Sequence, residues 1–86
     1  MAKTIYVGNI AFTATEEEIR TLFEAHGTVN DVKLIMDRGT GRFRGFGFVE
    51  MEDDDAQTAI KELDGKEFAG RVLRVNEARD RPGGDG

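Results

Sequence analysis

The stretch Arg44–Met51 constrains the fold of this chain more than any other. Aromatic and β-branched residues dominate it, which predicts a strand whose side chains alternate between two faces. Both rings and both charges fall on the even-numbered face: Arg44, Phe46, Phe48 and Glu50. Such a mixture is typical of a solvent-facing surface, and the two glycines opposite suit the close approach of a packed helix. This strand alone leaves open the reverse assignment, with Phe46 and Phe48 in the core, because short apolar runs do not reveal their faces.

A second predicted strand, from Thr4 to Ile10, favours the solvent-facing assignment. It carries a single aromatic residue, Tyr6, at an alternating position. Aromatic rings on a wet sheet face, with a cation beside them, suit the stacking of unpaired nucleic acid bases. Tyr6, Phe46 and Phe48 would suit such a face, and the choice between the two assignments stays open at this point.

The first half of the chain also predicts a helix and another strand. Thr15 and Glu18 match a capping box. The apolar residues that follow them recur at helical spacing and predict one buried stripe: Ile19, Leu22 and Phe23. Phe12, just before this helix, is expected to fold over the edge of the core. A strand from Val29 to Met36 comes next, and the glycines within residues 37–43 predict a flexible turn into the central strand.

The second half of the chain repeats this pattern. Asp53 or Asp54 is expected to cap a second helix. Its buried stripe contains four residues: Ala56, Ala59, Ile60 and Leu63. Residues 66–70 predict a short connector that places Phe68 near the core. The last strand is expected to run without interruption from Arg71 to Asn76, with Arg74 and Asn76 facing outward.

The resulting order, β-α-β-β-α-β, predicts an α+β fold. It is the order of the ferredoxin-like split βαβ sandwich, in which a four-stranded antiparallel sheet carries both helices on one face. The first and third strands would then be neighbours at the centre of the sheet. Tyr6, Phe46 and Phe48 would form a single aromatic platform on the helix-free side.

Two stretches resemble the paired ribonucleoprotein motifs of the RNA recognition motif family: residues 5–10 and residues 44–51. Seven of the eight positions of the longer motif match, and Met51 stands where the family has an aromatic residue. The resemblance covers residues 4–78 and implies binding of single-stranded RNA, with single-stranded DNA left open as a second ligand.

The resemblance also implies roles for individual residues. Tyr6 and Phe48 match the positions that stack on two successive bases, and Phe46 matches the position that packs against the sugars between them. Arg44 matches the position that contacts the phosphate backbone. Four further polar residues are expected to flank the platform and to contact base edges or phosphates: Lys33, Arg42, Arg74 and Asn76.

Length and charge bound these expectations. Eighty-six residues predict one domain, over residues 1–79, followed by a short disordered tail over residues 80–86. The net charge of −5 argues against a nucleic acid partner, but the acidic residues cluster at the predicted helix starts, where they complement the helix dipole. There is no cysteine and no apolar run long enough for a signal peptide or a membrane span. We expect a cytoplasmic monomer without cofactor, metal or membrane contact.

The chain is similar to small bacterial proteins with one such domain and to the first domain of glycine-rich RNA-binding proteins. This similarity implies a post-transcriptional regulator or an RNA chaperone. The alternative is a protein-protein interaction module of the same fold, which the acidic helices keep open. An enzyme on a ferredoxin-like fold is disfavoured because the chain has neither Cys nor Ser and only one His.

Overall fold

The computed structural model describes residues 2–78, so the predicted tail lies outside the described residues. Two helices and six strands follow one another in this part of the chain: β1 Ala2–Gly8, α1 Glu16–Glu24, β2 Val29–Met36, β3 Phe43–Glu52, α2 Asp53–Leu63, β4 Glu67–Phe68, β5 Arg71–Val72 and β6 Arg74–Glu77. Four strands form one antiparallel sheet in the order β2-β3-β1-β6, and β4 pairs with β5 in a separate hairpin. The predicted ferredoxin-like sandwich is confirmed, with β1 and β3 at the centre of the sheet.

The core lies between the sheet and the two helices. Its largest fully buried side chains come from both layers: Ile5, Val7, Ile10, Ile19, Phe23, Val49, Met51, Leu63, Leu73 and Val75. The odd-numbered residues of β3 from Gly45 to Met51 are buried and Phe46 and Phe48 are not, which confirms the predicted orientation of this strand. Leu22 and Ile60 are only partly buried, so they lie at the margin of their predicted stripes.

Strand β1 ends two residues before the predicted Ile10. Asn9 has a φ of 56°, in the left-handed region, and this turn ends the extended backbone at Gly8. The N–H of Ile10 then donates to the carbonyl of Gly45 at 2.8 Å. The first strand therefore stays attached to β3 beyond its own end.

The capping predictions have opposite outcomes. The hydroxyl of Thr15 accepts a hydrogen bond from the N–H of Glu18 at 3.1 Å, and the Glu18 carboxylate accepts one from the N–H of Thr15 at 3.0 Å, so the capping box of α1 is confirmed. The prediction that an aspartate caps α2 is wrong, because Glu52 occupies the N-cap position and Asp53 is already helical. Asp53 instead accepts from the side chain of Gln57, one turn along the helix, at 2.9 Å.

The close approach at Gly47 also differs from prediction, because the neighbour is a strand and not a helix. A β-carbon at position 47 would lie 2.5 Å from the carbonyl oxygen of Lys33 and 3.0 Å from Cα of Leu34. Glycine is therefore required here for β2 to lie against β3.

The last predicted strand is interrupted at Leu73. The N–H of Leu73 donates to the carbonyl of Lys66 at 2.9 Å, and its carbonyl accepts from the N–H of Gly65, also at 2.9 Å. These bonds hold the backbone of Leu73 against the turn after α2 and away from β1. The chain consequently pairs with β4 before residue 73 and with β1 after it. Phe68, on β4, packs against the core as predicted.

Candidate nucleic-acid interface

One row of side chains crosses the helix-free face and takes one residue from each strand of the sheet. The strand register pairs Lys33 with Phe48, Phe48 with Tyr6, and Tyr6 with Asn76. Directly paired side chains of an antiparallel sheet point to the same face. The four residues, which we call the central row, are therefore brought together as the sequence predicted.

The three rings of the aromatic platform contact one another. The ring centroids of Tyr6 and Phe46 and those of Tyr6 and Phe48 are each 6.0 Å apart, and those of Phe46 and Phe48 are 6.2 Å apart. Phe48 lies edge-on to both neighbours, with interplanar angles of 61° and 89°. Such tilted contacts hold the rings in place while leaving part of each ring open to solvent. The platform is thus a set of three rings in mutual contact.

Gly8 lies directly beneath this platform, although the sequence alone gave it no role. A β-carbon at position 8 would lie 2.8 Å from Cε2 and Cζ of Tyr6, and closer still to its hydroxyl. The ring of Tyr6 therefore lies across the backbone of Gly8. Because Gly8 pairs with Arg74 of β6, this ring also reaches toward the arginine side of the face.

Charge divides the open face into two ends. At the Gly8 end, which we call the cationic end, Arg44 and Arg74 are exposed on either side of the platform. At the opposite end, which we call the acidic end, Asp31 pairs directly with Glu50, and Glu50 pairs with Thr4. Two carboxylates that pair directly across strands repel each other, and they do not attract an anion to this end. A phosphate chain would meet attraction at one end of the platform and repulsion at the other.

Arg42 lies apart from the central row, in the loop between β2 and β3. This loop is closed at its base by two backbone hydrogen bonds, from Asp37 N–H to the carbonyl of Arg42 at 2.7 Å and from Gly41 N–H to the carbonyl of Asp37 at 2.8 Å. The Asp37 carboxylate accepts further bonds from the N–H groups of Thr40 and Gly39 at 3.0 and 2.7 Å. The hydrogen bond from Thr40 contributes most to lowering the pKa of Asp37 from its ordinary 3.8, and the bond from Gly39 comes next. The positive charge of Arg44 lowers this pKa further.

The prediction that Phe12 folds over the edge of the core is wrong, because this residue is 70% exposed. It contacts Phe43 edge-on, with the centroids 6.4 Å apart. It also lies beside Gly45, where a β-carbon would be 3.1 Å from Cε1 of Phe12. Gly45 has a φ of 91°, a conformation that other residues rarely adopt. The exposed ring is therefore positioned by two contacts within β3.

Arg71 joins the cationic end although sequence analysis gave it no role. Its Nη2 and Nε donate to the side-chain oxygen of Asn9 at 2.6 and 3.1 Å, and the amide nitrogen of Asn9 donates to the carbonyl of Val72 at 2.7 Å. Asn9 and Arg71 are 62 residues apart in the chain, so only the folded structure reveals this contact.

Two other kinds of site are not found in the described part of the chain. Residues 2–78 hold no group of three or more His, Cys, Asp or Glu side chains arranged to bind a metal ion. Neither described helix is long and apolar enough to cross a membrane.

Known proteins provide a comparison for the chain as a whole. RbpE of Nostoc sp. (strain PCC 7120), whose designation as an RNA-binding protein is provisional, is 52% identical over 79 residues, which cover 91% of this chain and 80% of RbpE. The mitochondrial glycine-rich RNA-binding protein 2 of Arabidopsis thaliana is 47% identical over 83 residues, which cover 95% of this chain but 52% of that protein.

Solved structures agree with the sequence comparison. The crystal structure of RNA-binding protein PG1 matches with a TM-score of 0.87 and 49% identity, over 93% of this chain and 98% of that one. The Rna15 domain with bound RNA (GU) matches with a TM-score of 0.80 and 31% identity, over 90% of this chain and 83% of that one. A family model for the RNA recognition motif matches residues 5–74. The chain belongs to the RNA recognition motif family.

Proposed function

We propose that this domain binds single-stranded RNA by stacking bases on the aromatic platform. The observation that carries the proposal is the central row, in which two partly exposed rings lie in register between a lysine and an asparagine. Aromatic rings on a sheet face stack on unpaired bases, and amide and ammonium groups beside them donate hydrogen bonds to base edges or phosphates.

In this proposal, each residue has the role that the family resemblance implies for it. Tyr6 and Phe48 stack on successive bases, and Phe46, beside both rings, packs against the intervening sugars. Arg44 and Arg74 contact phosphates at the cationic end, and Lys33 and Asn76 contact the ligand at the two edges of the central row. Arg42 adds a cation from the loop between β2 and β3.

The comparisons support the same ligand class. RbpE and the Arabidopsis protein are named for RNA binding, and the Rna15 domain was solved with RNA. We infer a binding function without a chemical step, exercised in the cytoplasm by a monomer that regulates RNA after transcription or acts as an RNA chaperone. The same platform suits single-stranded DNA as a second ligand, because stacking does not require a 2′-hydroxyl.

Binding to a mixed pool of short single-stranded RNAs, followed by fluorescence anisotropy, tests this proposal. Each stacked base is worth about 1–3 kcal/mol, so Phe48→Ala should weaken binding about 5- to 150-fold. Lys61→Ala is the matched control, because Lys61 is exposed on α2 and its loss also changes one surface side chain. We expect this control to bind like the unmodified protein.

Two results would contradict the proposal. Absence of binding to every RNA in the pool would favour the alternative of a protein-interaction module. Equal affinity of Phe48→Ala and the unmodified protein would show that RNA binds away from the platform.

A further inference from the structure

A small cavity of about 200 Å³ extends from the cationic end of the platform. Six of the residues around it can contact a ligand through rings, guanidinium groups or an amide: Tyr6, Phe46, Phe12, Arg44, Arg71 and Asn9. The volume is below the roughly 300 Å³ of pockets that enclose a whole small ligand. The cavity therefore suits one part of a longer ligand that already lies on the platform.

Phe12 gives this cavity an aromatic wall. The ring is 70% exposed, the largest value among the exposed large apolar side chains of residues 2–78. Its contacts with Phe43 and Gly45 fix its position while most of its surface stays in water. A ring that already packs against two neighbours loses less conformational entropy when a base stacks on it than a ring without such contacts would.

Arg44 and Arg71 give the same cavity two positive charges. Both side chains are exposed. Arg71 is oriented by the amide oxygen of Asn9, which is neutral, so this contact does not cancel its charge. Two guanidinium groups that converge on one small cavity match the geometry of a phosphate.

We propose that this cavity binds one additional nucleotide of the RNA strand, beyond those on the platform. Phe12 stacks on its base, and Arg44 and Arg71 contact its phosphate. This inference rests on the proposed function and extends it, because it assigns a role to Phe12 and Arg71 and lengthens the binding site by one nucleotide at the cationic end.

The test compares affinities for oligouridylates of two to six nucleotides, measured for the unmodified protein, Phe12→Ala and Phe12→Trp. In the unmodified protein, affinity should rise about 5- to 150-fold at the length that first reaches the cavity. The Phe12→Ala variant should lack this one rise in affinity, which we call the step, and should bind shorter oligonucleotides with the affinity of the unmodified protein. Phe12→Trp should keep the step, because tryptophan also stacks on bases. Lys61→Ala should keep every step.

A salt titration tests the phosphate contact separately. Arg71→Gln keeps a side-chain donor toward Asn9 but removes the charge. It should flatten the slope of log affinity against log salt by about 0.7 for oligonucleotides that reach the cavity, and leave the slope unchanged for shorter ones.

The outcomes separate this inference from the proposed function. If Phe48→Ala weakens binding at all lengths and Phe12→Ala matches the unmodified protein at all lengths, the platform binds RNA and the additional site does not exist. If Phe12→Ala weakens binding equally at every length, Phe12 supports the platform and holds no separate nucleotide. If the unmodified protein binds no oligouridylate and no RNA of the mixed pool, the proposed function itself fails.

Discussion

The ring of Tyr6 lies across the backbone of Gly8, so closely that a β-carbon at position 8 would be 2.8 Å from two ring atoms. Gly8→Ala should therefore displace the ring. The ring is at the surface and can move away, so we expect RNA affinity to fall by about 1–3 kcal/mol while the free energy of unfolding changes by less than about 1 kcal/mol.

A double-mutant cycle checks the cause of this loss. If Gly8→Ala acts through Tyr6, adding it to Tyr6→Ala should weaken RNA binding no further. Additive losses in anisotropy titrations would mean that position 8 contacts RNA by itself.

Gly47→Ala should have the opposite effect. A methyl group there would collide with the carbonyl oxygen of Lys33, which is backbone and cannot rotate away. We expect the free energy of unfolding to fall by about 1–3 kcal/mol, as is typical of overpacked sites. Urea denaturation measures this, and an unchanged midpoint would show that β2 and β3 separate more easily than their contacts indicate.

Phe23 and Phe48 are both phenylalanines, but they lie on opposite sides of the sheet. Phe23 is fully buried between α1 and the sheet, so Phe23→Ala should lower the free energy of unfolding by about 3–5 kcal/mol. Phe48→Ala should weaken RNA binding and leave the domain folded. Thermal unfolding followed by circular dichroism distinguishes the two, and comparable losses of stability would contradict the assignment of faces.

The division of charge on the open face predicts two changes of opposite sign. Glu50→Gln removes a carboxylate beside the platform and should increase RNA affinity. Arg44→Ala should lower affinity and flatten the slope of log affinity against log salt by about 0.7, the value for one phosphate contact on a single strand. Phe48→Ala should lower affinity with little change of slope, and a slope that flattened equally in both variants would make backbone contacts the main source of binding.

The loop between β2 and β3 predicts a pH dependence. The N–H groups of Thr40 and Gly39 bind the charged form of Asp37, so its pKa in the folded protein lies below 3.8. Because the pKa of Asp37 is lower in the folded protein than in the unfolded chain, its carboxylate contributes full stability at pH values above the unfolded pKa. This contribution is lost as the pH falls through the pKa of Asp37 in the folded protein.

Carboxyl NMR titration should show this low pKa directly. The amide resonances of Gly39 and Thr40 should move with the same midpoint, and Asp37→Ala should abolish that shared titration. A midpoint at or above 3.8 would contradict the hydrogen bonds of the loop.

The alternation of residues 44–51 predicted two distinct faces of β3, and the family resemblance was needed to decide which of them faces solvent. The order of elements was enough to place β3 beside β1. The features that were not predicted depend on contacts between distant segments. Leu73 is fixed by the turn after α2, and Arg71 by Asn9, 62 residues away. Phe12 was expected to fold over the edge of the core, whereas it lies exposed beside Phe43 and Gly45 of β3.

The central row has a consequence for the lifetime of the protein. Because it takes one residue from each of four strands, a ligand that spans it recognises only the fully assembled sheet. Such a ligand shifts the unfolding equilibrium of the whole domain, by about 2.7 kcal/mol when its free concentration is 100 times Kd. The edge strands β2 and β6 would then open to solvent mainly together with the centre, and the ligand would increase the protection of their amide hydrogens against exchange. A protease that cleaves the opened chain would degrade it more slowly wherever RNA is abundant, so the amount of the protein would follow the supply of its ligand.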